Sequence, residues 1–191
     1  MQLHDCKSAI RFLRNRAEIF NIDPAHIAVM GDSAGGHLAS MVGLTNNNAD
    51  LEGKVGDEHG SSAVQAVVNW FGPAELLTME HQSIGRELGS KDASDSAESR
   101  LVGGTLQDHK AAAIAASPMT YVNAQAPPFL IQHGTVDRLV AYQQSQDLAD
   151  ALKSVGCDVT LNLIDGADHC FWGVDGTPIV QQVVSFLKRV M

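Results

Sequence analysis

The chain has 191 residues, of which 45% are hydrophobic and 18% are charged, which is enough to build the core of one globular domain. The formal net charge of −9 is the opposite of a basic nucleic-acid-binding surface, so we expect no nucleic-acid partner. We also expect no membrane span, because no apolar run reaches the roughly 18–20 residues that a spanning helix needs. Three cysteines, an odd number, indicate free thiols and do not define a redox compartment.

Short apolar runs alternate along the chain with segments of helical periodicity. In chain order, we predict a helix over 5–14, a strand over 27–30, a helix over 34–44, strands over 63–71 and 128–132, a helix over 142–155, a strand over 159–164 and a helix over 178–190. This alternation is typical of a parallel α/β sheet with helices on both faces. The run at 27–30 is predicted to be a buried strand, and 159–164 to lie near the sheet edge. The first helix is predicted to bury Ile10, Leu13 and Ala17.

Residues 74–126 depart from this alternation. Helical turns over 75–79 and 110–116 flank a small, polar and charged stretch over 91–98. The segment is too short and too poor in apolar residues to form its own core. We therefore predict a single α/β domain over 1–191 with an excursion at 74–126, which we expect to lie beside the functional site and to shape substrate access.

The strand at 27–30 leads directly into Gly31-Asp32-Ser33-Ala34-Gly35, a Gly-x-Ser-x-Gly pattern between a strand and a helix. A serine at such a turn takes a strained backbone conformation, and the close approach of strand and helix favours glycine on both sides. The turn exposes the hydroxyl above the carboxyl end of the sheet, where parallel α/β proteins place their sites. Ser33 is therefore our candidate nucleophile.

A serine hydroxyl needs a general base, and the base needs a carboxylate that orients it. Asp137 follows the strand at 128–132, and His169 follows the strand at 159–164, so serine, aspartate and histidine each come just after a different strand. Asp165 and Asp168 are alternatives for the carboxylate. Asp168 is adjacent to His169 in sequence, so its side chain would normally point elsewhere, and we favour Asp137.

Other chemistry-bearing residues have simpler explanations. We expect His133 to be structural, bonded to backbone groups, and Asp32 to support the turn around the serine. The cluster at 57–59, Asp-Glu-His, offers metal ligands, but adjacent residues point in different directions and no spaced second pair occurs. We expect a solvated loop there and no metal. The chain has no phosphate-binding glycine loop or dinucleotide fingerprint, so we expect no cofactor.

Three segments resemble the signature loops of the α/β-hydrolase fold: Gly-Asp-Ser-Ala-Gly-Gly at 31–36, His-Gly-Thr-Val-Asp at 133–137 and Gly-Ala-Asp-His at 166–169. The segments at 70–73, 116–122 and 127–131 are similar to those of bacterial esterase and lipase-like proteins related to carbohydrate and feruloyl esterases. The resemblance extends over nearly the whole chain.

The resemblance implies a role for each residue of the site. Ser33 would be the nucleophile, His169 the general base and then the general acid, and Asp137 the residue that orients the imidazole. The backbone N–H of Ala34 would be one donor of the oxyanion hole. The implied substrate is a small-molecule carboxylic ester with a short-chain or carbohydrate-linked acyl group, cleaved through an acyl-enzyme.

The chain departs from the family pattern before the nucleophile. The family usually has a His-Gly-Gly type segment there, which supplies the second oxyanion donor, but only 32 residues precede Ser33. We therefore expect an N-terminally incomplete hydrolase that lacks the strands beside 27–30. Its open sheet edge would favour a homo-oligomer, and its activity would be weak. The localisation stays open, because a longer native form could carry a secretion signal.

Two alternatives remain at this point. A peptidase or amidase of the same fold would use the same residues and differ only in its leaving group. A catalytically weak remnant would instead act through self-association at the open sheet edge.

Overall fold

The computed structural model describes residues 2–85 and 88–191. Four parallel strands form one sheet, and their order in the sheet is their order in the chain. The strands are β1 (Ala28–Asp32), β2 (Ala66–Trp70), β3 (Phe129–Gly134) and β4 (Val159–Ile164). The predicted parallel α/β sheet is thus confirmed, with each predicted strand present.

Helices connect and cover the strands. They are α1 (Gln2–Asn15), α2 (Ala17–Phe20), α3 (Ala34–Leu44), α4 (Leu76–Gln82), α5 (Ala97–Val102), α6 (Lys110–Ala115), α7 (Gln143–Ser154) and α8 (Thr177–Val190). Short 3₁₀ turns occur at Ala49–Leu51, Pro118–Tyr121 and His169–Phe171. All four predicted long helices form, and among the described helices none combines the length and apolar character needed to cross a membrane.

The sheet carries a core on each face, because neighbouring side chains of a strand point to opposite sides. On β2, Val67 belongs to the core beneath α3 and α7, whereas Val68 belongs to the core beneath α8. The first core is built from residues of both layers: Val42, Leu148 and Leu152 of the helices with Val67, Phe129 and Ile131 of the strands. The prediction of helices on both faces is confirmed.

The strand β1 lies at the open sheet edge that the sequence analysis expected beside 27–30, so it is not buried as its apolar run alone predicted. Within the described residues it pairs with β2 alone, so it forms one outer edge of the sheet, and Met30 is 47% exposed. The continuous apolar run at 27–30 was the signal for two-sided burial, but run length does not determine how many neighbours a strand has. The other outer strand is β4, as predicted for 159–164.

The excursion at 74–126 contains α4, α5 and α6 among its described residues. Its apolar side chains form a small cluster with a residue outside the excursion: Leu76, Met79, Leu106 and Ala113 pack with Val140. Val140 belongs to the segment after β3, so the excursion is packed against the carboxyl ends of the strands. That it shapes substrate access within a single domain stays a prediction.

The helix α1 buries two cations that the sequence did not predict to be buried. Lys7 is 0% exposed and Arg11 is 1% exposed, whereas Leu13, predicted to face inward, is 37% exposed. Both cations contact Glu52 of the loop after α3. The Lys7 Nζ–Glu52 Oε1 and Arg11 Nη1–Glu52 Oε2 distances are both 2.8 Å. Lys7 Nζ also donates to the carbonyl oxygen of Thr45 at 2.7 Å.

The Glu52 carboxylate is held in its ionised form. Partial burial would raise its pKa, but hydrogen bonds from Lys7 and Ser62 and the charges of Lys7 and Arg11 bring the pKa below its ordinary value. The three charged side chains therefore act as one unit that fastens the loop at 49–62 to α1.

Replacing Glu52 with glutamine is expected to lower the free energy of unfolding by about 3–5 kcal/mol at pH 7, because Lys7 and Arg11 would stay buried without a counter-charge. Urea denaturation measures the change. Since the folded-state pKa of Glu52 is lowered, its stabilisation is present above the ordinary pKa and is lost as pH falls through the lowered one. The difference in free energy of unfolding between Glu52→Gln and the unsubstituted chain should therefore become smaller in acid.

The matched control is Glu58→Gln, which removes an exposed glutamate of the same loop. We expect its free energy of unfolding to stay within about 0.5 kcal/mol of the unsubstituted chain. An equally small change for Glu52→Gln would show that the buried cations do not depend on Glu52.

Candidate active site

Ser33 lies at the turn between the last residue of β1 and the first residue of α3. Its backbone has φ 52° and ψ −119°, a conformation that a residue with a Cβ adopts at a cost in energy. Two backbone hydrogen bonds hold it there: Ser33 N–H donates to the Trp70 carbonyl at 2.8 Å, and the Ser33 carbonyl accepts from His37 N–H at 3.0 Å. The strained turn that the sequence predicted is present.

The glycines around Ser33 are not equally constrained. A Cβ on Gly31 would overlap the backbone of Gly35, and a Cβ on Gly36 would lie 2.6 Å from Asn69 Oδ1. A Cβ on Gly35 itself would meet nothing closer than Asp32 Oδ1 at 3.8 Å. The expectation that packing allows only glycine on both sides of the serine thus holds for Gly31 and is wrong for Gly35, where the space is open.

A chain of hydrogen bonds joins the three residues that the sequence singled out. His169 Nε2 is 3.0 Å from Ser33 Oγ, and His169 Nδ1 is 2.7 Å from Asp137 Oδ2. Because a carboxylate only accepts hydrogen bonds, Nδ1 carries the proton, which leaves the lone pair of Nε2 directed at the serine hydroxyl. The loops after β1, β3 and β4 therefore bring these three side chains together.

Asp137 is 1% exposed, and all its hydrogen bonds are with donors. Oδ1 accepts from the backbone N–H groups of Leu139 at 2.9 Å and Val140 at 2.8 Å. Oδ2 lies 2.7 Å from His169 and 3.2 Å from His133 Nε2. Burial alone would raise the pKa of this carboxyl, but hydrogen bonds from His133, His169 and Val140 outweigh it and hold the pKa well below its usual range.

His133 is fully buried at the end of β3. Its Nε2 lies 2.8 Å from the Val140 carbonyl and near the Asp137 carboxylate, so Nε2 is the donor, and Nδ1 accepts from Ser145 Oγ at 2.7 Å. The structural role predicted for His133 includes a contact that the sequence analysis missed, since this imidazole also supports Asp137. The sequence indicated this contact only by the spacing of four residues between His133 and Asp137, across the end of β3.

The alternative carboxylates have other partners. Asp168 accepts from Arg138 N at 3.0 Å and Arg138 Nε at 2.8 Å, and from His169 N at 2.8 Å. Asp165 accepts from Thr135 Oγ1 at 3.3 Å. Hydrogen bonds from the backbone N–H groups of Arg138 and His169 lower the pKa of Asp168. Neither carboxylate bonds to the His169 imidazole.

Asp32 does not make the hydrogen bonds expected of a turn support. Its side chain is exposed and forms no hydrogen bond with another residue in the described part of the chain. The loop at 57–59 is bound by its neighbours: the Asp57 carboxylate pairs with Arg16, and the His59 carbonyl accepts from Asn15 Nδ2 at 2.9 Å. Within residues 2–85 and 88–191, no group of three acidic, histidine or cysteine side chains is close enough to hold a metal.

Phe71 is a residue of the site that the sequence analysis did not single out. It directly follows β2, is 2% exposed and has a positive φ of 43°. Its ring meets the His169 imidazole edge to face at 4.7 Å and the Phe171 ring at 4.9 Å. These contacts restrict how the imidazole can turn. The signal was its position at the carboxyl end of a strand, in the Trp-Phe-Gly-Pro segment.

Ser33 opens into a cavity of about 450 Å³. The cavity is lined by residues of the segment 88–98 and by Ser33, Ala34, Pro73, Leu139 and Val140. Ala34 is the first residue of α3, and no side chain caps this helix. N–H groups in a first helical turn lack an acceptor within the helix. The N–H of Ala34 is thus suited to receive an oxygen atom of a ligand in this cavity.

Comparison with known proteins gives a consistent result. The sequence model of the BD-FAE family matches residues 1–152. Esterase LipC of Mycobacterium tuberculosis is 31% identical over 190 residues, which are 97% of this chain and 45% of LipC. The chain spans less than half the length of the curated relatives it matches.

Solved structures agree with the sequence comparison. A truncated form of a carbohydrate esterase from gut microbiota superposes with a TM-score of 0.89 at 30% identity, covering 98% of this chain and 67% of that one. Butyrate-bound Est2, an esterase of the Planctomycetes species Thermogutta terrifontis, superposes with a TM-score of 0.70 at 29% identity, covering 98% and 63%. The chain therefore has the α/β-hydrolase fold and belongs to the BD-FAE family.

Proposed function

We propose that this chain hydrolyses carboxylic esters through an acyl-enzyme intermediate on Ser33. The observation that carries the proposal is the continuous hydrogen-bond chain from Asp137 through His169 to Ser33, with distances of 2.7 Å and 3.0 Å. The esterases among its relatives support ester chemistry. No cofactor enters the proposed reaction.

In the first half of the reaction, Ser33 Oγ attacks the ester carbonyl carbon while His169 Nε2 takes the hydroxyl proton. Asp137 stays ionised and stabilises the imidazolium that forms. The carbonyl oxygen becomes an oxyanion, which accepts a hydrogen bond from the N–H of Ala34. Hydrolases of this fold use a second backbone donor from a loop earlier in the chain.

The tetrahedral intermediate then breaks its bond to the alcohol oxygen. His169 donates its Nε2 proton to that oxygen, the alcohol leaves and the acyl group stays on Ser33 Oγ. In the second half, water attacks the acyl carbon and gives a proton to His169. The bond to Ser33 breaks, Oγ recovers the proton, and the carboxylic acid is released.

We propose short-chain or carbohydrate-linked acyl esters as the substrate class. A relative named as a carbohydrate esterase and another solved with butyrate support this choice. A cavity of about 450 Å³ beside Ser33 has room for a small acyl group or for part of a sugar.

Labelling with a fluorophosphonate tests the nucleophile. Mass spectrometry of the folded chain is expected to find one adduct, on Ser33, because this hydroxyl lines the cavity and has a histidine nitrogen 3.0 Å away to take its proton. Ser145, whose hydroxyl donates to His133, is fully buried. Ser33→Ala should give no adduct, and Ser90→Ala, which removes another serine lining the same cavity, should label normally.

Hydrolysis of a 4-nitrophenyl ester and its 4-nitroanilide counterpart, with Ser33→Ala as the blank, separates an esterase from an amidase. A correctly folded chain that forms no adduct would contradict the proposal. That result would favour the non-catalytic alternative, in which the open edge of β1 mediates self-association.

A further inference from the structure

Lys91 is a buried lysine in the wall of the cavity that contains Ser33. It is 6% exposed, although lysine is among the residues least often buried, because removing an ammonium from water is unfavourable. The proposed ester hydrolysis gives this side chain no role. Lys91 is therefore a buried cation that lines the same cavity as Ser33.

Among residues 2–85 and 88–191, the ammonium of Lys91 has no hydrogen-bond or ion-pair partner. The hydrogen bonds of this residue involve its backbone: its N–H donates to Glu80 Oε2 at 2.6 Å, and its carbonyl accepts from Ser96 Oγ at 2.7 Å. No residue in the described part of the chain forms an ion pair or hydrogen bond with Lys91 Nζ. The other buried lysine, Lys7, is paired with Glu52 and with a backbone carbonyl.

Lys91 lines the Ser33 cavity, and its ammonium reaches solvent. Nζ is not one of the fully enclosed polar atoms that lack a partner, so it contacts solvent, and Lys91 is a wall residue of the cavity that contains Ser33. Asp95 and Glu98 line the same cavity. Asp95 is exposed and Glu98 is half-buried, so water screens their charges more than that of Lys91. An anion entering the cavity would give Lys91 the partner it lacks.

We propose that Lys91 determines substrate specificity by binding a carboxylate carried by the ester, close to the bond that Ser33 attacks. The inference rests on the proposed ester hydrolysis and deepens it, because it names anionic esters as preferred substrates. The carboxylate can belong to the acyl part or to the alcohol part of the ester, and matched substrates distinguish these two sources.

Two pairs of esters with equal chain length test the proposal. For the acyl side, mono-4-nitrophenyl succinate is compared with 4-nitrophenyl butyrate. For the alcohol side, 4-acetoxybutyrate is compared with butyl acetate. Lys91→Met is expected to lower kcat/KM for the anionic member of at least one pair by about 10- to 100-fold, mainly through KM, since a charge-assisted hydrogen bond is lost.

Matched variants separate this role from a structural one. Hydrolysis of the neutral esters by Lys91→Met should change by about twofold or less, a size typical of a substitution away from the reacting atoms. Lys91→Arg should keep the preference for the anionic ester. Lys188→Met, which removes one positive charge from an exposed position on α8, should leave the ratio of kcat/KM for the anionic ester to that for the neutral ester unchanged in both pairs. If Lys91→Met lowered kcat/KM equally for the anionic and the neutral ester of both pairs, the proposal would be overturned.

A binding measurement makes the test independent of turnover. In the Ser33→Ala variant, calorimetry compares monoethyl succinate with ethyl butyrate, and 4-acetoxybutyrate with butyl acetate, before and after Lys91→Met. A preference for an anionic ester that depends on Lys91 supports the inference even if no ester is hydrolysed, in which case the proposed function alone fails. Hydrolysis without such a preference would overturn the inference and leave the proposed function intact.

Discussion

Replacing His169 with alanine is expected to lower kcat for ester hydrolysis by about 10⁶-fold, close to the effect of removing the nucleophile itself. The Ser33 hydroxyl is a weak nucleophile at neutral pH, and His169 Nε2, at 3.0 Å, is the group positioned to take its proton. In the proposed reaction, the same imidazole then protonates the departing alcohol. Its loss therefore removes both proton transfers in each half of the reaction.

The rate of fluorophosphonate labelling of Ser33 should fall together with kcat, since labelling depends on the same proton transfer. The control is His59→Ala, an exposed histidine of the 49–62 loop, for which both rates should be unchanged. Residual activity above about a hundredth of that of the unsubstituted chain would show that another group acts as the base.

Replacing Asp137 with asparagine is expected to lower kcat by about 10⁴-fold while the chain stays folded. In the unsubstituted chain, Oδ2 accepts from His169 Nδ1 at 2.7 Å. An amide NH₂ at that position donates instead, so the imidazole must place its proton on Nε2. An Nε2 that already carries a proton cannot take one from Ser33.

Asparagine at position 137 should also reduce stability, because its NH₂ would face the Nε2–H donor of His133. We expect a loss of about 1–3 kcal/mol, because the buried amide N–H of asparagine would have no acceptor there, while the Nε2–H of His133 keeps the Val140 carbonyl. Because the pKa of Asp137 is lowered in the folded state, the ionised carboxylate stabilises the fold above its ordinary pKa of about 4. That contribution is lost as pH falls through the lowered pKa, so the difference between the two proteins should shrink in acid.

Steady-state kinetics and urea denaturation of Asp137→Asn are compared with those of Asp165→Asn and Asp168→Asn. These two controls replace the alternative carboxylates, which both lie in the loop after β4. We expect both controls to stay within about tenfold of the unsubstituted chain in kcat, because neither carboxylate contacts the imidazole. A 10⁴-fold loss in Asp168→Asn, with little change in Asp137→Asn, would reverse the assignment.

Much of the fold follows from local sequence patterns. Short apolar runs separated by helical periodicity are sufficient to predict a parallel sheet, and α3 has the predicted bounds of 34–44 because the strained serine and the small residues after it define its start. The meeting of Ser33, Asp137 and His169 could be expected from chain order, because the carboxyl ends of parallel strands lie along one edge of the sheet.

Features that depend on distant partners could not be predicted in this way. The burial of Lys7 and Arg11 requires Glu52, which lies more than 40 residues further along the chain. A helical pattern assigns charged residues to the outer face unless such a partner is known. The apolar run at 27–30 taken alone predicts a buried strand, and only the expected lack of strands beside it indicates the open edge at which Met30 is exposed.

The two outer strands of the sheet, β1 and β4, precede Ser33 and His169, yet these residues are bonded at 3.0 Å. The segment after β4 reaches back over the sheet, where Phe171 packs on Trp70 and Phe71. The hydrogen bond joins residues 136 positions apart, so forming it closes a long loop at a cost in chain entropy. The Ser33–His169 hydrogen bond therefore requires both outer strands to be in place on either side of the inner pair. We expect local opening of either outer strand to break this hydrogen bond while the inner strands remain paired.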